Sequence, residues 1–467
     1  MRRTLTIVSF ICLALSAWGQ QYSFTFQLEG RSDTVMYIGR YHRDVLTLVD
    51  TAVRRGDSYV FKSRREWPRG VYALVGQDGK KAVSNFCVDG SLKFSISGDA
   101  KLTPGSVKVK GSKVNAEMYD YLATETAAEK EMEALKKDKD RAEKEKALIA
   151  RMEAYEKRVM ELKSPNVYLE IQKVCSRPEV PDSVKDKATW YRMHYWDYLF
   201  ENEKLKVKSE TWALLHSPQL FSKMNYFFFG VLYYAESDTI KADIDRLAAR
   251  IGDDTALLRY VFDFIEPRYF RSTKNVGWDA VWCHLASEYY LKGRCPWATE
   301  GTLHNMRYNY KRIRQSLIGA HGQELWMADT NQSSDPREWI SSHRFPTKYV
   351  ILWFWDPDCH HCQEQSEALK VLYDSLMTAP DKRFEIYAVG FESDVEKWKR
   401  YVREHKFNWV NVGGTNVNID YQEAYNVHGA PTMIILNEKR DIIMNKVLPA
   451  KSLLQFLNEY EKRSCKL

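Results

Sequence analysis

Three patterns of apolar and polar residues follow one another along the chain, and each indicates a different kind of secondary structure. Residues 20 to about 115 contain short runs rich in Val, Tyr, Phe and Thr, separated by Gly and Asp turn residues. Runs of this kind are typical of β-strands joined by tight turns. We therefore predict a β-rich domain over residues 20–115, folded as a small antiparallel sandwich or barrel.

The second pattern, over residues 116–316, is that of helices. Its first part is dominated by Glu, Lys and Ala. Apolar residues recur there at the three- and four-residue spacing of one helix face, at Met152, Tyr155, Val159 and Leu162. The helix is predicted to stop near Ser164-Pro165. A charged run of this kind is usually a solvated helix face rather than a partner surface.

Aromatic residues crowd the remainder of this helical region and are expected to form its core. A peptide- or sugar-binding groove is the alternative for four of them, namely Trp190, Tyr191, Tyr195 and Trp196. Cys283, His284 and Cys295 suggest part of a zinc site, but no fourth ligand stands at a recognisable spacing. A buried free thiol or a local disulfide is the better expectation for these cysteines.

The third pattern, over residues 317–467, alternates apolar strands with helices. Residues 348–355 form a continuous apolar run, as in a parallel strand buried on both faces. The later predicted elements are a helix over 362–376, a strand over 383–391, a helix opened by a Ser393 cap, a hairpin over 432–448 and a helix over 452–463. The whole chain is thus predicted to be a multidomain α+β protein, with a β-rich sandwich-like domain, a helical middle domain and a C-terminal α/β domain.

Residues 1–19 have the features of a secretory signal peptide. Two arginines precede an apolar stretch from Leu5 to Ala17, and small residues at Ala17 and Gly19 indicate cleavage after Gly19. The apolar stretch is too short for a permanent membrane anchor. Cys12 lies inside that stretch and not at a cleavage point, so lipidation is not expected. We expect an exported mature chain with no stable membrane span.

The net charge and the cysteine count bear on the class of partner and on the kind of chemistry. Loss of Arg2 and Arg3 would take the net charge from +7 to +5, and the charges are interspersed without a nucleic-acid motif. Nucleic-acid partners are therefore not expected. Of eight cysteines seven remain after cleavage, an odd number with irregular spacing, which argues against a disulfide scaffold and singles out the close pair Cys359 and Cys362. A dithiol is informative in an exported protein, where thiols are normally oxidised.

This pair lies in "WFWDPDCHHC", between a predicted strand and helix, about seventy residues before "YNVHGAPTMIILN". The arrangement resembles the thioredoxin fold, and more closely the TlpA/ResA-like thiol-disulfide oxidoreductases of bacterial envelopes. The β-rich region resembles a domain that often precedes such modules in exported bacterial proteins. The resemblance implies a Cys359–Cys362 dithiol or disulfide, with Cys359 as nucleophile and Cys362 as resolving cysteine. It also implies a cis bond between Ala430 and Pro431 and substrate contacts by four residues, Ala430, Pro431, Thr432 and Trp355.

Elementary electrostatics agree with these roles. Cys359 would precede a helix N-terminus, where free N–H groups and the helix dipole favour a thiolate. His360 and His361 can add positive charge or a hydrogen bond. His361 directly precedes the second cysteine, as in oxidising relatives of thioredoxin, and this predicts a reduction potential above that of thioredoxin.

Three positions depart from the family pattern. Trp353 replaces the buried aspartate of thioredoxin, and Gln365 replaces the glutamate of ResA-like proteins, so the usual proton acceptors for Cys362 are missing. Glu364 and His361 are the remaining candidates for that role. Asp358 stands where a tryptophan is common, and its charge would oppose thiolate formation.

Two other readings of the cysteine pair stay open beside the dithiol. A zinc site would need a second pair of ligands, which the neighbouring sequence lacks. A structural disulfide would make the protein a redox-silent binding or scaffold protein of the cell envelope. We expect an exported thiol-disulfide oxidoreductase of the periplasm or cell envelope, with no metal and no cofactor. Its expected partners are thiols or disulfides of envelope proteins and a protein that recycles the dithiol.

Overall fold

The computed structural model describes residues 21–136, 138–160, 166–200, 208–271, 275–377, 382–391 and 394–464. The predicted signal peptide, Leu162, the Ser164-Pro165 helix end and Ser393 lie outside these ranges. No helix within them is both long and apolar enough to cross a lipid bilayer. The chain divides into two compact units, with the boundary between Tyr233 and Tyr234.

The first unit begins with an eight-stranded sheet in the order β6-β5-β2-β3-β4-β1-β7-β8. Its strands are β1 Tyr22–Glu29, β2 Val35–His42, β3 Val45–Arg55, β4 Ser58–Ser63, β5 Gly70–Val75, β6 Ala82–Val88, β7 Lys93–Asp99 and β8 Lys108–Lys110. The prediction of an antiparallel arrangement is wrong for one pair, because β1 and β7 run parallel.

The sheet folds over on itself around an aromatic core. Phe24 and Phe26 of β1 lie 6.1 Å and 5.1 Å, between ring centroids, from Phe86 of β6. Four strands separate β1 from β6 in the sheet order, so these contacts require the two ends of the sheet to face each other. Side chains of β1 alternate between buried and more exposed, as expected for a strand with one face in a core. The predicted sandwich-like architecture is confirmed.

Helices follow the sheet in the first unit and precede the sheet in the second. Those of the first unit are α1 Lys113–Leu135, α2 Arg141–Met160, α3 Val167–Cys175, α4 Lys187–His194, α5 Asp197–Phe200, α6 Lys208–Leu215 and α7 Pro218–Tyr226. Those that open the second unit are α8 Ser237–Ile251, α9 Thr255–Arg271, α10 Trp278–Leu285 and α11 Glu300–Ile313. The predicted helical region is therefore divided between the two units.

Many aromatic residues and two of the cysteines of the helical region are buried. Tyr195 and Trp196 are buried, as predicted for core aromatics. Cys283 and Cys295 are buried free thiols, which confirms one of the two alternatives. Burial raises the pKa of each of these thiols to about 12, so they are unreactive at neutral pH.

The last part of the second unit is a seven-stranded sheet in the order β10-β9-β13-β12-β11-β14-β15. Its strands are β9 Trp326–Asp329, β10 Ile340–Ser341, β11 Tyr349–Trp355, β12 Phe384–Gly390, β13 Val410–Val417, β14 Thr432–Leu436 and β15 Ile442–Met444. Its helices are α12 His360–Met377, α13 Val395–Glu404, α14 Tyr421–Ala424 and α15 Ala450–Ser464. Every residue of β11 is buried, as its apolar run predicts.

The predicted order of elements missed β9, β10 and β13. Strand β13 contains Gly413, Gly414 and several polar residues, which hide it from a pattern search. Its glycines have a packing role: Trp398 of α13 is 1% exposed and lies against both Gly390 of β12 and Gly413. Helix α13 is capped by Asp394, whose side chain accepts the Lys397 N–H.

Replacing Gly390 by Ala is expected to lower the free energy of unfolding by about 1–3 kcal/mol, the usual cost of overpacking a core. A Cβ atom at this position would lie 2.5 Å from Nε1 of Trp398, and the buried indole has no free space to move into. Urea denaturation of the full chain measures the change. Gly301→Ala is the matched control, because its Cβ would meet nothing closer than 3.8 Å. Equal unfolding curves for the two variants would contradict this account of the packing.

Candidate active site

Cys359 lies directly before the first residue of α12. Its backbone N–H donates to the carbonyl oxygen of Asp356 at 3.1 Å, which closes the turn between β11 and α12. The N–H of Cys362 points back and donates to Sγ of Cys359 at 3.3 Å. A sulfur that accepts an N–H at a helix N-terminus is stabilised in its charged form. Cys359 therefore lies at the helix N-terminus with a backbone N–H directed at its sulfur, which is the position predicted for the nucleophile.

Cys362 has a different environment one turn further along α12. Its side chain is fully buried, whereas Cys359 is partly exposed. Both are free thiols in this structure. Burial, and next the hydrogen bond with Cys359, raise the pKa of Cys362 to about 12. Cys362 is thus a protonated thiol at neutral pH, and only Cys359 faces an approaching molecule.

The loop before β14 lies beside Cys359. The bond between Ala430 and Pro431 is cis, as the resemblance implies. Sγ of Cys359 is 3.7 Å from the carbonyl oxygen of Ala430, to which it donates. Thr432 follows, and its hydroxyl donates to the carbonyl of Gly429 at 2.8 Å.

The topology explains why residues seventy positions apart meet at this point. Strand β11 pairs antiparallel with β14, and Phe354 is opposite Thr432. The end of β11, which leads to Cys359, therefore lies next to the start of β14, which follows Pro431.

Trp355 does not occupy the position that the resemblance implies for a substrate contact. Its side chain is fully buried and packs against Tyr401 and Phe407, with ring centroids 5.6 Å and 5.7 Å away. It presents no surface to a bound molecule. The Trp355 side chain lies in the core below the loop that leads to Cys359, because the last residue of β11 points into that core.

His360 and His361 are exposed and share one partner. Their side chains are 77% and 81% accessible, and the nearest ring nitrogens lie 3.3 Å and 3.6 Å from the carboxylate oxygens of Glu364. Glu364 thereby offsets positive charge that would otherwise act on Cys359. Asp358, whose charge was expected to oppose the thiolate, forms an ion pair with Lys397 of α13. The pairing of both histidines with Glu364 follows from their three- and four-residue spacing on α12, whereas the pairing of Asp358 with Lys397 joins two separate segments.

Glu364→Gln is expected to make the reduction potential of the dithiol less negative, by on the order of 10 mV, since the change removes a weak exposed ion pair. The released imidazoles would stabilise the thiolate form. Equilibration with glutathione at pH 6, which favours charged imidazoles, measures the potential. Glu367→Gln is the control, because Glu367 lies on the same helix and pairs with His405. A more negative potential for Glu364→Gln would show that the histidines do not act on Cys359.

Uncharged side chains, those of Trp353 and Gln365, occupy the two positions at which related proteins have a proton acceptor for the resolving cysteine. The indole N–H of Trp353 donates to Oγ of Ser366 at 3.0 Å, and both side chains are buried. Oε1 of Gln365 is buried and has no hydrogen-bond partner among the described residues. Glu364 is exposed and faces the histidines, so neither predicted substitute is buried beside Cys362.

The fold and sequence of this region match a known family. A family profile described as thioredoxin-like matches residues 347–442, which contain β11, both cysteines and the cis bond. The C-terminal domain is thioredoxin-like.

Solved structures similar to the chain include the following three. A thioredoxin-like protein from Bacteroides caccae is 16% identical with a TM-score of 0.45, and the match covers 60% of this chain and 97% of that one. A domain of a possible thiol-disulfide isomerase from Cytophaga hutchinsonii is 28% identical with a TM-score of 0.28, covering 32% and 97%. A thiol-disulfide oxidoreductase from Bacteroides fragilis is 21% identical with a TM-score of 0.26, covering 30% and 98%. No curated protein matches the chain.

Proposed function

We propose that this chain is an exported thiol-disulfide oxidoreductase that acts through Cys359 and Cys362 of its thioredoxin-like domain. The observation that carries the proposal is the contrast between the two sulfurs. Cys359 is accessible and accepts an N–H at a helix N-terminus, whereas Cys362 is buried and protonated one turn away. A nucleophile and a resolving thiol need these two environments.

The reaction consists of two exchanges. The Cys359 thiolate attacks a substrate disulfide, so that a bond forms between the two sulfurs while the substrate S–S bond breaks and one substrate thiolate leaves. Cys362 then loses its proton and attacks Sγ of Cys359, which forms the Cys359–Cys362 disulfide and releases the second substrate thiol. Two electrons pass from the dithiol to the substrate, and a dithiol protein must return them. The reverse sequence oxidises a substrate dithiol and needs a disulfide protein as recycling partner.

Two further features support the proposal. The carbonyl of Ala430 lies 3.7 Å from the attacking sulfur and ends the loop along which a substrate strand could bind. The predicted signal peptide would deliver the chain to the periplasm or cell envelope, where protein disulfides are abundant. Envelope proteins are therefore the proposed substrates.

Cys362→Ser is expected to leave Cys359 joined to substrate proteins as stable mixed disulfides, because the second exchange cannot occur. Non-reducing gel electrophoresis of envelope extracts would show adducts that disappear on reduction, and mass spectrometry would name the partners. The matched control is the double variant that also carries Cys359→Ser, which should form none. If no adduct forms with either variant, the pair is redox-silent and the binding or scaffold function is the correct one.

A further inference from the structure

A cavity of 460 Å³ opens beside the cis-proline loop. One side is formed by the loop that contains His428, Gly429 and Pro431, and by residues that follow β15. The opposite side is formed by α9, α10 and α11, which precede the thioredoxin-like domain in the same compact unit. Pro431, which lines the cavity, directly follows Ala430, whose carbonyl oxygen lies 3.7 Å from Sγ of Cys359.

Hydrogen bonds and an ion pair connect the helical side of the cavity to the thioredoxin-like domain. Asp279 of α10 accepts from Nδ2 of Asn445 at 2.6 Å and lies 3.7 Å from Nζ of Lys446. Asn445 also donates to the carbonyl of Ser316 at 2.9 Å. Arg312 of α11 donates to the carbonyl of Gln422 at 3.4 Å. These contacts connect α10 and α11 to the segments beside the loop, so the helices form one wall of the cavity.

The lining of the cavity carries little net charge. Asp279 and Lys446 neutralise each other. Burial, and next the charge of Arg312, lower the pKa of His428, so its imidazole is neutral at pH 7. The other polar side chains of the lining are uncharged amides and hydroxyls, from Asn309, Asn426, Asn445, Ser316, Thr432, Tyr269 and Tyr425. Such a surface can pair with a peptide backbone but offers no free counter-ion to a charged side chain.

Apolar side chains complete the lining. Trp282 is buried in the wall, while Phe270 and Val447 remain 43% and 36% exposed on opposite sides of the cavity. A ligand with a large apolar side chain is favoured here, because that side chain would be buried between the exposed aromatic ring and the aliphatic side chain.

We propose that α9, α10 and α11 form a specificity wall that binds the segment next to the reacting cysteine of a polypeptide substrate, and that this segment is uncharged and carries a large apolar side chain. The inference rests on the proposed oxidoreductase function and adds the substrate class. Phe270 and Val447 contact the substrate, and Asp279, Asn445 and Lys446 are positioning residues that hold the wall.

The test compares three disulfides: two nine-residue peptides with a central cysteine joined to a thionitrobenzoate reporter, one flanked by Phe and one by Asp, and glutathione disulfide. The native chain, reduced beforehand and freed of reductant, is expected to react with the Phe peptide in a single turnover with a second-order rate constant about ten-fold or more above that for the Asp peptide. Phe270→Glu and Val447→Glu are each expected to lower the ratio of the Phe-peptide rate to the glutathione rate about ten-fold. Val371→Glu, on exposed α12 surface away from the cavity, is the control and should keep the native ratio.

The outcomes separate the two proposals. If the chain reduces all three disulfides without discrimination, or if both cavity variants keep the native ratio, the wall is not a substrate site although the enzyme is active. If the chain reduces none of the disulfides and Cys362→Ser forms no adduct, the oxidoreductase function fails and the substrate class fails with it. Circular dichroism of each variant checks folding, and two variants on opposite sides of the cavity guard against a local disturbance at either one.

Discussion

Replacing Cys359 by Ser is expected to lower the rate of disulfide exchange by about a thousand-fold or more, because a hydroxyl at neutral pH cannot replace a thiolate as nucleophile. Cys362 cannot take over the attack, since it is fully buried and its pKa is raised to about 12. Reduction of insulin disulfides, followed by turbidity, measures the rate.

Cys175→Ser is the matched control for this experiment. Cys175 is another free thiol, and burial raises its pKa to about 12, so its loss should leave the rate unchanged. A Cys359→Ser variant with near-native activity would show that the assignment of the nucleophile is wrong.

The rate of the second exchange is expected to rise about tenfold for each pH unit between about pH 6 and pH 9. The raised pKa of Cys362 means that its thiol is almost fully protonated throughout this range, and the reactive thiolate fraction grows tenfold with each unit. Burial, the largest cause of the raised pKa, persists in the mixed disulfide, where Cys359 carries no charge. The slope should therefore hold although the hydrogen bond between the two sulfurs is then altered.

Stopped-flow mixing of the reduced chain with an aromatic disulfide separates the two exchanges. The first coloured thiolate is released when Cys359 attacks, and the second when Cys362 attacks. Cys362→Ser should release the first alone. A second-phase rate that levels off near pH 8 would mean that Cys362 titrates as an ordinary thiol, and that its burial does not govern the resolving step.

Local features of the active site could be predicted because they depend on short stretches of sequence. A wholly apolar run such as residues 349–355 has to be buried on both faces, and a helix has to begin after it, so Cys359 falls at a helix N-terminus. The cis bond at Pro431 follows a family motif that is equally local. The runs rich in Val, Tyr, Phe and Thr between turn residues likewise predicted the β-rich domain.

Other features depend on pairings between distant segments, and the sequence does not encode them in a readable pattern. In strand β13, Gly413 lies against Trp398 of α13, while Gly414 has a positive φ and lies against Gln332, so two other segments influence the composition of this strand. The family motif implies that Trp355 contacts the substrate. Its side chain instead points into the core, because it is the last residue of β11 and packs against Tyr401. The Asp358 charge is offset by Lys397, which lies on a distant helix, α13.

Local patterns were enough to predict a β-rich region, a helical region and an α/β domain with a dithiol motif, because each is visible as a periodicity or a motif within one stretch. The burial of Trp355, the pairing of Asp358 with Lys397 and the position of α9, α10 and α11 beside the cis-proline loop became known only from the fold. The reason is physical. Secondary structure and helix-terminal electrostatics act over a few residues, whereas burial, pKa and the shape of a cavity are set by segments far apart in the chain.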